Sequence, residues 1–213
     1  MKFSLNNIIP NKVSNENIIK SNVWNSELEF QKGNYYLISS SSGKGKSTLT
    51  YFLCGCRKDF TGDILIDKKN TQSLTSKNWI ELRKNQIALV HQDLKLIGNL
   101  TVLENLLLKN ELTEYSTIEN IDNYLTQLEV FELKEKKCSE LSMGQQQRIA
   151  IIRSILQPFN WIILDEPFSH LDKENKSLAL DLIIKSAKKN DAGIILMSLD
   201  INEKLNSFKS IAL

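Results

Sequence analysis

The sequence predicts an α/β fold with a mostly parallel sheet and an inserted helical region. Short apolar runs alternate with segments of helical periodicity along the chain, which is the order typical of parallel sheets. Each run is apolar throughout, so we expect strands that are covered on both faces. The 213 residues suffice for one domain. Within it we expect an α/β core lobe at 1–93 and 158–213, and a helical subdomain at 94–157.

The first predicted strand is the aromatic and apolar run at 35–39, which leads directly into a polar loop. A helix should follow the loop, because apolar residues recur there at helical spacing. These residues are Leu49, Phe52, Leu53 and Cys56. Residues 62–67 alternate as a strand does, and residues 87–90 form another continuous apolar run.

Helical periodicity dominates residues 94–157. Two apolar faces are marked by Val102, Leu103, Leu106 and Leu107, and by Tyr124, Leu125, Leu128 and Phe131. Pro158 should stop the last helix of this block. Two more strands are predicted at 161–164 and 194–197, on either side of a helix. The apolar side of that helix carries Leu178, Leu180, Ile183 and Ile184.

The composition excludes several classes of protein. There are 27 basic and 25 acidic residues, and this small excess of positive charge does not indicate a nucleic-acid partner. The three cysteines Cys54, Cys56 and Cys138 contain no CxxC pair, so we expect reduced core thiols rather than disulfides or zinc ligands. No run approaches the length of a membrane span. We therefore expect a cytoplasmic chain.

A phosphate-binding loop is predicted between the first strand and its helix. Residues 40–47 read SSSGKGKS and match the pattern GxxxxGK[ST], except that Ser40 replaces the first glycine. In such a loop the backbone N–H groups and the helix N-terminus surround the phosphates of a nucleotide, while Lys46 reaches the β and γ oxygens and Ser47 binds Mg²⁺. The alternative is a polar turn. The predicted cradle comprises Ser40, Ser41, Ser42, Gly43, Lys44, Gly45, Lys46, Ser47 and Thr48, on a P-loop NTPase (RecA-like) core.

Two carboxylates follow the apolar run at 161–164. The carboxyl ends of parallel strands face the ligand crevice, so Asp165 and Glu166 should emerge beside the phosphate loop. Asp165 can hold Mg²⁺, directly or through water, and Glu166 can orient and deprotonate an attacking water. A solvated acidic turn is the alternative for this pair when it is considered alone.

Further motifs resemble one family. Gln92 follows the strand at 87–90, LSMGQ occupies 141–145, QQRIA follows at 146–150, and SHLD occupies 169–172. With the phosphate loop and the acidic pair, these segments resemble the nucleotide-binding subunit of ABC transporters over about residues 20–210. The segment 91–105 resembles the branch of lipoprotein release, macrolide export and cell division.

The resemblance implies roles for these residues. Gln92 would sense Mg²⁺ and water and couple the site to the membrane partner. Ser142, Gly144 and Gln145 would close on the γ-phosphate bound to the opposite protomer, so that each site needs two subunits. Asp172 would lie at the dimer seam, act as a helix N-cap, or do both.

The resemblance also implies cofactors and partners. The cofactors are ATP and Mg²⁺, and the dimer is a homodimer or a heterodimer of nucleotide-binding domains. A separate transmembrane ABC subunit is the implied partner. The expected location is therefore peripheral, on the inner face of the cell membrane.

The chain departs from the family pattern at several positions. Residues 8–20 contain no aromatic ring to stack on adenine; Trp24 is the nearest candidate, and core packing is its alternative role. Ser40 and Met143 replace glycines. Leu199 stands where the family has its switch histidine. Either Leu199 is a buried residue that extends the core, or the ATPase is weakened.

Three function classes follow. The first is a peripheral ATPase that drives a transmembrane partner. The second is a nucleotide-gated clamp or force-transmitting module with little hydrolysis, which Leu199 favours. The third, an ABC protein of chromosome maintenance or translation, is disfavoured because the interval between Gln92 and Leu141 holds no long coiled coil and the chain has one cassette.

Overall fold

The structure is a computed structural model, and it describes residues 1–40, 43–199 and 205–213. The strands are β1 (Lys2–Pro10), β2 (Glu27–Gln31), β3 (Tyr35–Ser39), β4 (Phe60–Ile66), β5 (Lys69–Asn70), β6 (Ile87–Val90), β7 (Trp161–Asp165), β8 (Gly193–Ser198) and β9 (Lys209–Ala212). The helices are α1 (Asn15–Ile19), α2 (Lys46–Leu53), α3 (Ser76–Asn85), α4 (Val102–Asn110), α5 (Ile118–Gln127), α6 (Met143–Ser154) and α7 (Lys173–Lys189). Short 3-10 turns lie at Thr71–Ser73, Phe131–Leu133 and Cys138–Glu140.

A five-stranded parallel sheet forms the centre of the fold, in the order β6-β7-β8-β3-β9. The carboxyl ends of parallel strands lie along one edge. The segments that follow β3, β6, β7 and β8 therefore start at the same edge, and these segments carry the predicted site residues.

Side chains from this sheet enter two hydrophobic cores. Along β7, Ile162 and Leu164 pack into the core shared with α4, α5, α6 and α7, while Trp161 and Ile163 pack into the opposite core. The alternation arises because successive side chains of a strand point to opposite faces. Coverage on both faces explains why the strand sequences are apolar throughout, as predicted.

A second, antiparallel sheet of order β2-β1-β4-β5 covers one of those cores. The sequence correctly predicts a strand around 62–67 but does not predict that it belongs to a separate sheet. Ile64 and Ile66 are buried while Asp63 is exposed, which is the alternation of a strand covered on one face. The elements that were not predicted include β1, β5, β9, α1 and α3, and β1 alternates polar with apolar residues too irregularly to stand out.

Several helices end at other residues than the apolar periodicity of the sequence predicts. α2 ends at Leu53, so Cys56 lies beyond it in a turn, and Cys56 is exposed rather than a core thiol. Phe131 lies beyond α5, and α6 ends at Ser154, before Pro158. Residues 94–157 contain α4, α5 and α6, and their division into a subdomain stays a prediction. Of the helices in the described ranges, none combines the length and apolar character needed to cross a membrane.

Candidate functional site

The phosphate loop joins β3 to the N-terminus of α2. Gly45 caps this helix with a φ of +106°, a backbone conformation that glycine adopts without strain. A Cβ at this position would lie 3.0 Å from the Trp24 ring, so the loop rests directly on that indole. Trp24 is 1% exposed, and its Nε1 donates to the carbonyl of Lys44 at 3.3 Å. Core packing is therefore the role of Trp24, and it supports the loop from beneath.

Lys46 lies between the loop and the acidic pair. Its Nζ donates to the carbonyl oxygen of Ser40 at 2.7 Å and lies 3.2 Å from Oε1 of Glu166. The Ser40 hydroxyl is buried and has no hydrogen-bond partner among the described residues. Two of the predicted cradle residues, Ser41 and Ser42, lie outside the described residues.

Glu166 has a φ of +49°, an uncommon conformation for a non-glycine residue and one that clusters at functional sites. Its backbone N–H donates to the carbonyl of Met197 on β8 at 2.9 Å, which holds this left-handed residue against the neighbouring strand. The fold thus fixes the Glu166 backbone where β7 ends, with its carboxylate beside the Lys46 amine.

Ser47, Gln92 and Asp165 bring side-chain oxygens close together at the start of α2 and the end of β7. The Ser47 hydroxyl donates to Oε1 of Gln92 at 3.2 Å. Asp165 is buried and its Oδ1 has no described partner. Burial raises the pKa of its carboxyl group, and the neighbouring Ser47 hydroxyl partly opposes this shift. Mg²⁺ prefers a few protein oxygens together with waters and substrate phosphates. These three residues fit that requirement, and a cation would compensate the buried carboxylate.

Lys46, Ser47, Gln92 and Glu166 share a cavity of about 360 Å³. Its lining consists of Lys12, Val13, Gly43, Gly45, Lys46, Ser47, Thr48, Gln92, Glu166, Ser169 and Leu199. No aromatic ring is among these described lining residues, and Lys12 and Val13 are the lining residues that come from the N-terminal segment. The sequence did not single out either residue, because neither type carries a recognisable signal there.

Leu199 contradicts one sequence expectation. It directly follows β8 and is 54% exposed, so the interpretation of Leu199 as a buried extension of the core is wrong. Its side chain faces the same cavity as Lys46 and Glu166. An apolar side chain there cannot donate a hydrogen bond to a phosphate.

The signature residues lie on another surface. Ser142 caps α6: its hydroxyl accepts from the backbone N–H of Gln145, and the Gln145 side chain accepts from the Ser142 N–H in return. A Cβ on Gly144 would lie 2.7 Å from the carbonyl oxygen of His170, so only glycine permits this close approach. These three residues line a separate pocket with His170 and Asp172, away from the cavity of the same chain.

Gln147 is a connecting residue that the motif did not reveal. Its side-chain amide donates to the Ser169 hydroxyl at 2.8 Å and to the Glu166 carbonyl at 3.5 Å, and its oxygen accepts from the His170 N–H at 2.9 Å. The residue is 1% exposed. The helix of the signature is therefore bonded to the loop that follows Glu166.

Asp172, in the same loop, caps α7. Its side chain accepts from the Asn175 N–H, which confirms its N-cap role.

Comparison with known proteins is consistent with this geometry. Residues 23–169 match the family described as ABC transporter. A lipoprotein-releasing system ATP-binding protein of Buchnera aphidicola is 33% identical over 82% of this chain and 77% of its own length. A methionine import ATP-binding protein of Bacillus cereus is 30% identical over 93% of this chain, which spans only 57% of that relative.

Solved structures of ABC transporter cassettes resemble this chain in fold. The dimeric structure of MJ0796, a bacterial ABC transporter cassette, matches with a TM-score of 0.83 at 25% identity, over 99% of this chain and 94% of that one. A post-hydrolysis dimer of the same cassette, bound to ADP and Pi, matches with a TM-score of 0.79 at 26% identity, over 94% and 89%. The predicted P-loop core and the resemblance to the lipoprotein-release branch are confirmed. With its phosphate loop, acidic strand end and signature helix, this chain belongs to the ABC transporter family as an ATP-binding subunit.

Proposed function

We propose that this chain binds Mg-ATP, dimerises around two nucleotides and hydrolyses ATP to drive a separate transmembrane subunit. The observation that carries the proposal is the convergence of Lys46, Ser47 and Glu166 in one cavity, with the buried Asp165 next to Ser47. A phosphate bound at Lys46 would also lie beside Glu166, because their charged groups are 3.2 Å apart.

The described side chains divide the chemistry among them. Lys46 and the N-terminus of α2 bind the phosphates, and Ser47, Gln92 and Asp165 would hold Mg²⁺. The ion would neutralise charge that develops on the transferred phosphoryl group. Glu166 accepts a proton from the attacking water and orients it.

Dimerisation follows from the position of the signature. Ser142 and Gly144 lie at an exposed N-terminus of α6, on a surface separate from the cavity. A helix N-terminus favours anions, so this surface suits the γ-phosphate held by a second subunit. The dimer of the similar cassette MJ0796 supports this arrangement. The partner protomer is a second copy or a related chain.

A groove beside the nucleotide cavity suits the transmembrane partner. It has a volume of about 330 Å³ and contains Arg83, Lys109 and Arg153, together with the half-exposed Leu108 and Leu112. Among the described residues that line it there is no carboxylate. A partner segment that bears carboxylates and apolar side chains would therefore complement it.

The polypeptide itself connects the groove to the nucleotide. His91 lines the groove, and its neighbour Gln92 lines the cavity. A change in the contacts of Gln92 therefore reaches the groove across one peptide unit. Docking there would place the chain on the inner face of a membrane, and the resemblance to the lipoprotein-release branch favours extraction or mechanical transmission over import.

A clamp with slow hydrolysis is the second candidate, and the exposed Leu199 in the cavity favours it. Steady-state turnover of Mg-ATP by the purified chain, with and without its membrane partner, separates the two. Glu166→Gln should lower the turnover at least a hundredfold, while the exposed control Glu135→Gln should leave it unchanged. Equal turnover in wild type and Glu166→Gln would refute the assigned base.

The partner is tested separately, by purification of the tagged chain from detergent-solubilised membranes of its own cells. We expect an integral membrane subunit to co-purify. Lys109→Glu should reduce its recovery at least tenfold, because a carboxylate would then face the carboxylates of the partner. Lys188→Glu, on the exposed side of α7, is the matched control. Equal recovery with both variants would exclude the groove as the docking site.

A further inference from the structure

Two cysteines lie in contact just after the helix that carries Lys46. Cys54 caps the C-terminus of α2, and Cys56 follows after Gly55. The Cys54 thiol donates to the Cys56 sulfur across 3.3 Å. Cys54 is fully buried and Cys56 is exposed. One sulfur of the pair therefore meets solvent, and the other is held directly behind it.

An arginine from a different element lies beside both residues. Nη1 of Arg83 on α3 lies 3.9 Å from the Cys56 sulfur and 3.4 Å from the carbonyl oxygen of Cys54. Trp79, on the same helix, packs against Gly55. α3 thus fixes both the turn and the cation. A thiolate on Cys56 has a hydrogen-bond donor on one side and a positive charge on the other.

This environment separates the two thiols chemically. The hydrogen bond from Cys54, helped by the Arg83 charge, lowers the pKa of Cys56 to about 6. The bond to Cys56, together with burial, raises the pKa of Cys54. At neutral pH the exposed sulfur is a thiolate and the buried one stays protonated. Low-pKa, accessible cysteines beside a second thiol are typical of sites that react with peroxides.

We propose that Cys56 and Cys54 form a peroxide-reactive dithiol, in which Cys56 attacks the oxidant and Cys54 resolves the product. The Cys56 thiolate attacks one oxygen of hydrogen peroxide, the O–O bond breaks, and Cys56 sulfenic acid and hydroxide result. The Cys54 sulfur then attacks the sulfenic sulfur, loses its proton, and forms a disulfide as water leaves. Overall two thiols lose two electrons to one peroxide, which becomes two waters. The sulfurs must approach by about 1.3 Å to reach disulfide length.

The position of the dithiol links it to the rest of the protein. It terminates the helix whose other end carries Lys46 and Ser47, and its cation Arg83 also lines the basic groove. Oxidation removes the negative charge that faces Arg83. The guanidinium then has one fewer anionic neighbour and is freer to bind a carboxylate in the groove. This inference concerns a modification site and does not depend on the proposed function.

Peroxide treatment of the purified chain, followed by mass spectrometry of the intact protein and its peptides, tests the proposal. We expect the loss of two hydrogens, mapped to a bond between Cys54 and Cys56. Cys54→Ser should stop at a Cys56 sulfenic acid that a dimedone probe captures. Cys56→Ser should not react, and Cys138→Ser, which removes the other buried thiol, should behave as wild type.

Alkylation of the wild type provides a test that needs no variant. At pH 6 about half of a thiol with this pKa is ionised, compared with about 0.3% of an ordinary cysteine, and the lower nucleophilicity of its thiolate reduces the advantage to about tenfold. Iodoacetamide should therefore modify Cys56 about ten times faster than free cysteine at pH 6. In Arg83→Gln the midpoint of the rate against pH should move upward, which identifies Arg83 as a positioning residue.

Several outcomes would overturn the proposal. One is a wild type that accumulates Cys56 sulfinic acid without a disulfide. Others are a disulfide that joins two chains, or Cys56→Ser that still loses two hydrogens. An alkylation rate at pH 6 equal to that of free cysteine would also count against it.

Discussion

Replacement of Leu199 by histidine should raise ATP hydrolysis at least tenfold and leave ATP affinity nearly unchanged. Leu199 directly follows β8 and faces the cavity that holds Lys46 and Glu166. A preorganised donor aimed at charge that develops in the transition state is typically worth about 10² to 10³ in rate, or about 2.7 to 4 kcal/mol. An imidazole placed by substitution recovers only part of this value. Its effect belongs to the transition state, so ground-state binding should change little.

The structure also limits the cost of this change to the fold. Leu199 is 54% exposed, so roughly half of the benefit of burying a leucine is at stake, or about 1 kcal/mol. The variant should therefore fold. Leu199→Ala is the matched control, because it removes the same apolar contacts without adding a donor.

The assay is phosphate release at saturating Mg-ATP, with nucleotide affinity measured in parallel by titration. Glu166→Gln combined with Leu199→His should remain slow, because a phosphate donor does not replace the carboxylate that orients water. Equal rates for Leu199→His and Leu199→Ala would refute the reasoning. The reasoning would also be refuted if the wild type, together with its membrane partner, already hydrolysed several ATP molecules per second and Leu199→His did not raise that rate.

Three further predictions concern the same site. Lys46→Ala should weaken Mg-ATP binding at least tenfold, or about 1.4 kcal/mol, because it removes a charge-assisted phosphate contact; unchanged titration would refute the phosphate loop. Ser142→Arg, in a Glu166→Gln background, should leave ATP binding by the monomer intact and abolish the ATP-dependent dimer on sizing chromatography; a persistent dimer would exclude the signature from the composite site. Asp165→Asn should stabilise the chain without nucleotide at pH 7 by about 1 kcal/mol, seen as a higher melting temperature. Burial raises the pKa of Asp165, so its ionisation opposes folding, and the advantage of asparagine should be complete above the raised pKa, shrink as the pH falls below it, and vanish below the ordinary pKa of an aspartate; an advantage that grows in acid would contradict this assignment.

The sequence predicted those features that depend on local pattern. The strands around 161–164 and 194–197 were evident because both faces are buried, and the phosphate loop was evident because two of the eight glycines of the chain lie at 43 and 45. The antiparallel sheet was not predicted. Its longest strand, β1, pairs with residues far along the chain, from 27 to 66, and such pairing leaves little trace in a local window.

The candidate site was predictable by residue type but not in its connections. The position of Glu166 after an apolar strand run identified it as a candidate base, but the sequence contains no sign of its left-handed backbone or of its contact with Lys46. Leu199 was recognised as a departure, while its exposure is a three-dimensional property that its apolar residue type does not indicate. Gln147 is the last of three consecutive glutamines, and only the three-dimensional approach of Ser169 and His170 distinguishes it from the other two.

The hydrogen bonds of Gln147 have a consequence for timing in a closed dimer. They tie α6, whose N-terminus would face the nucleotide of the other subunit, to the loop beside the chain's own Glu166. A departure of the signature from one nucleotide would then pull on the backbone that positions the base for the other. Hydrolysis at the two sites of such a dimer would then not be independent, because each signature helix is bonded to the loop beside a catalytic carboxylate.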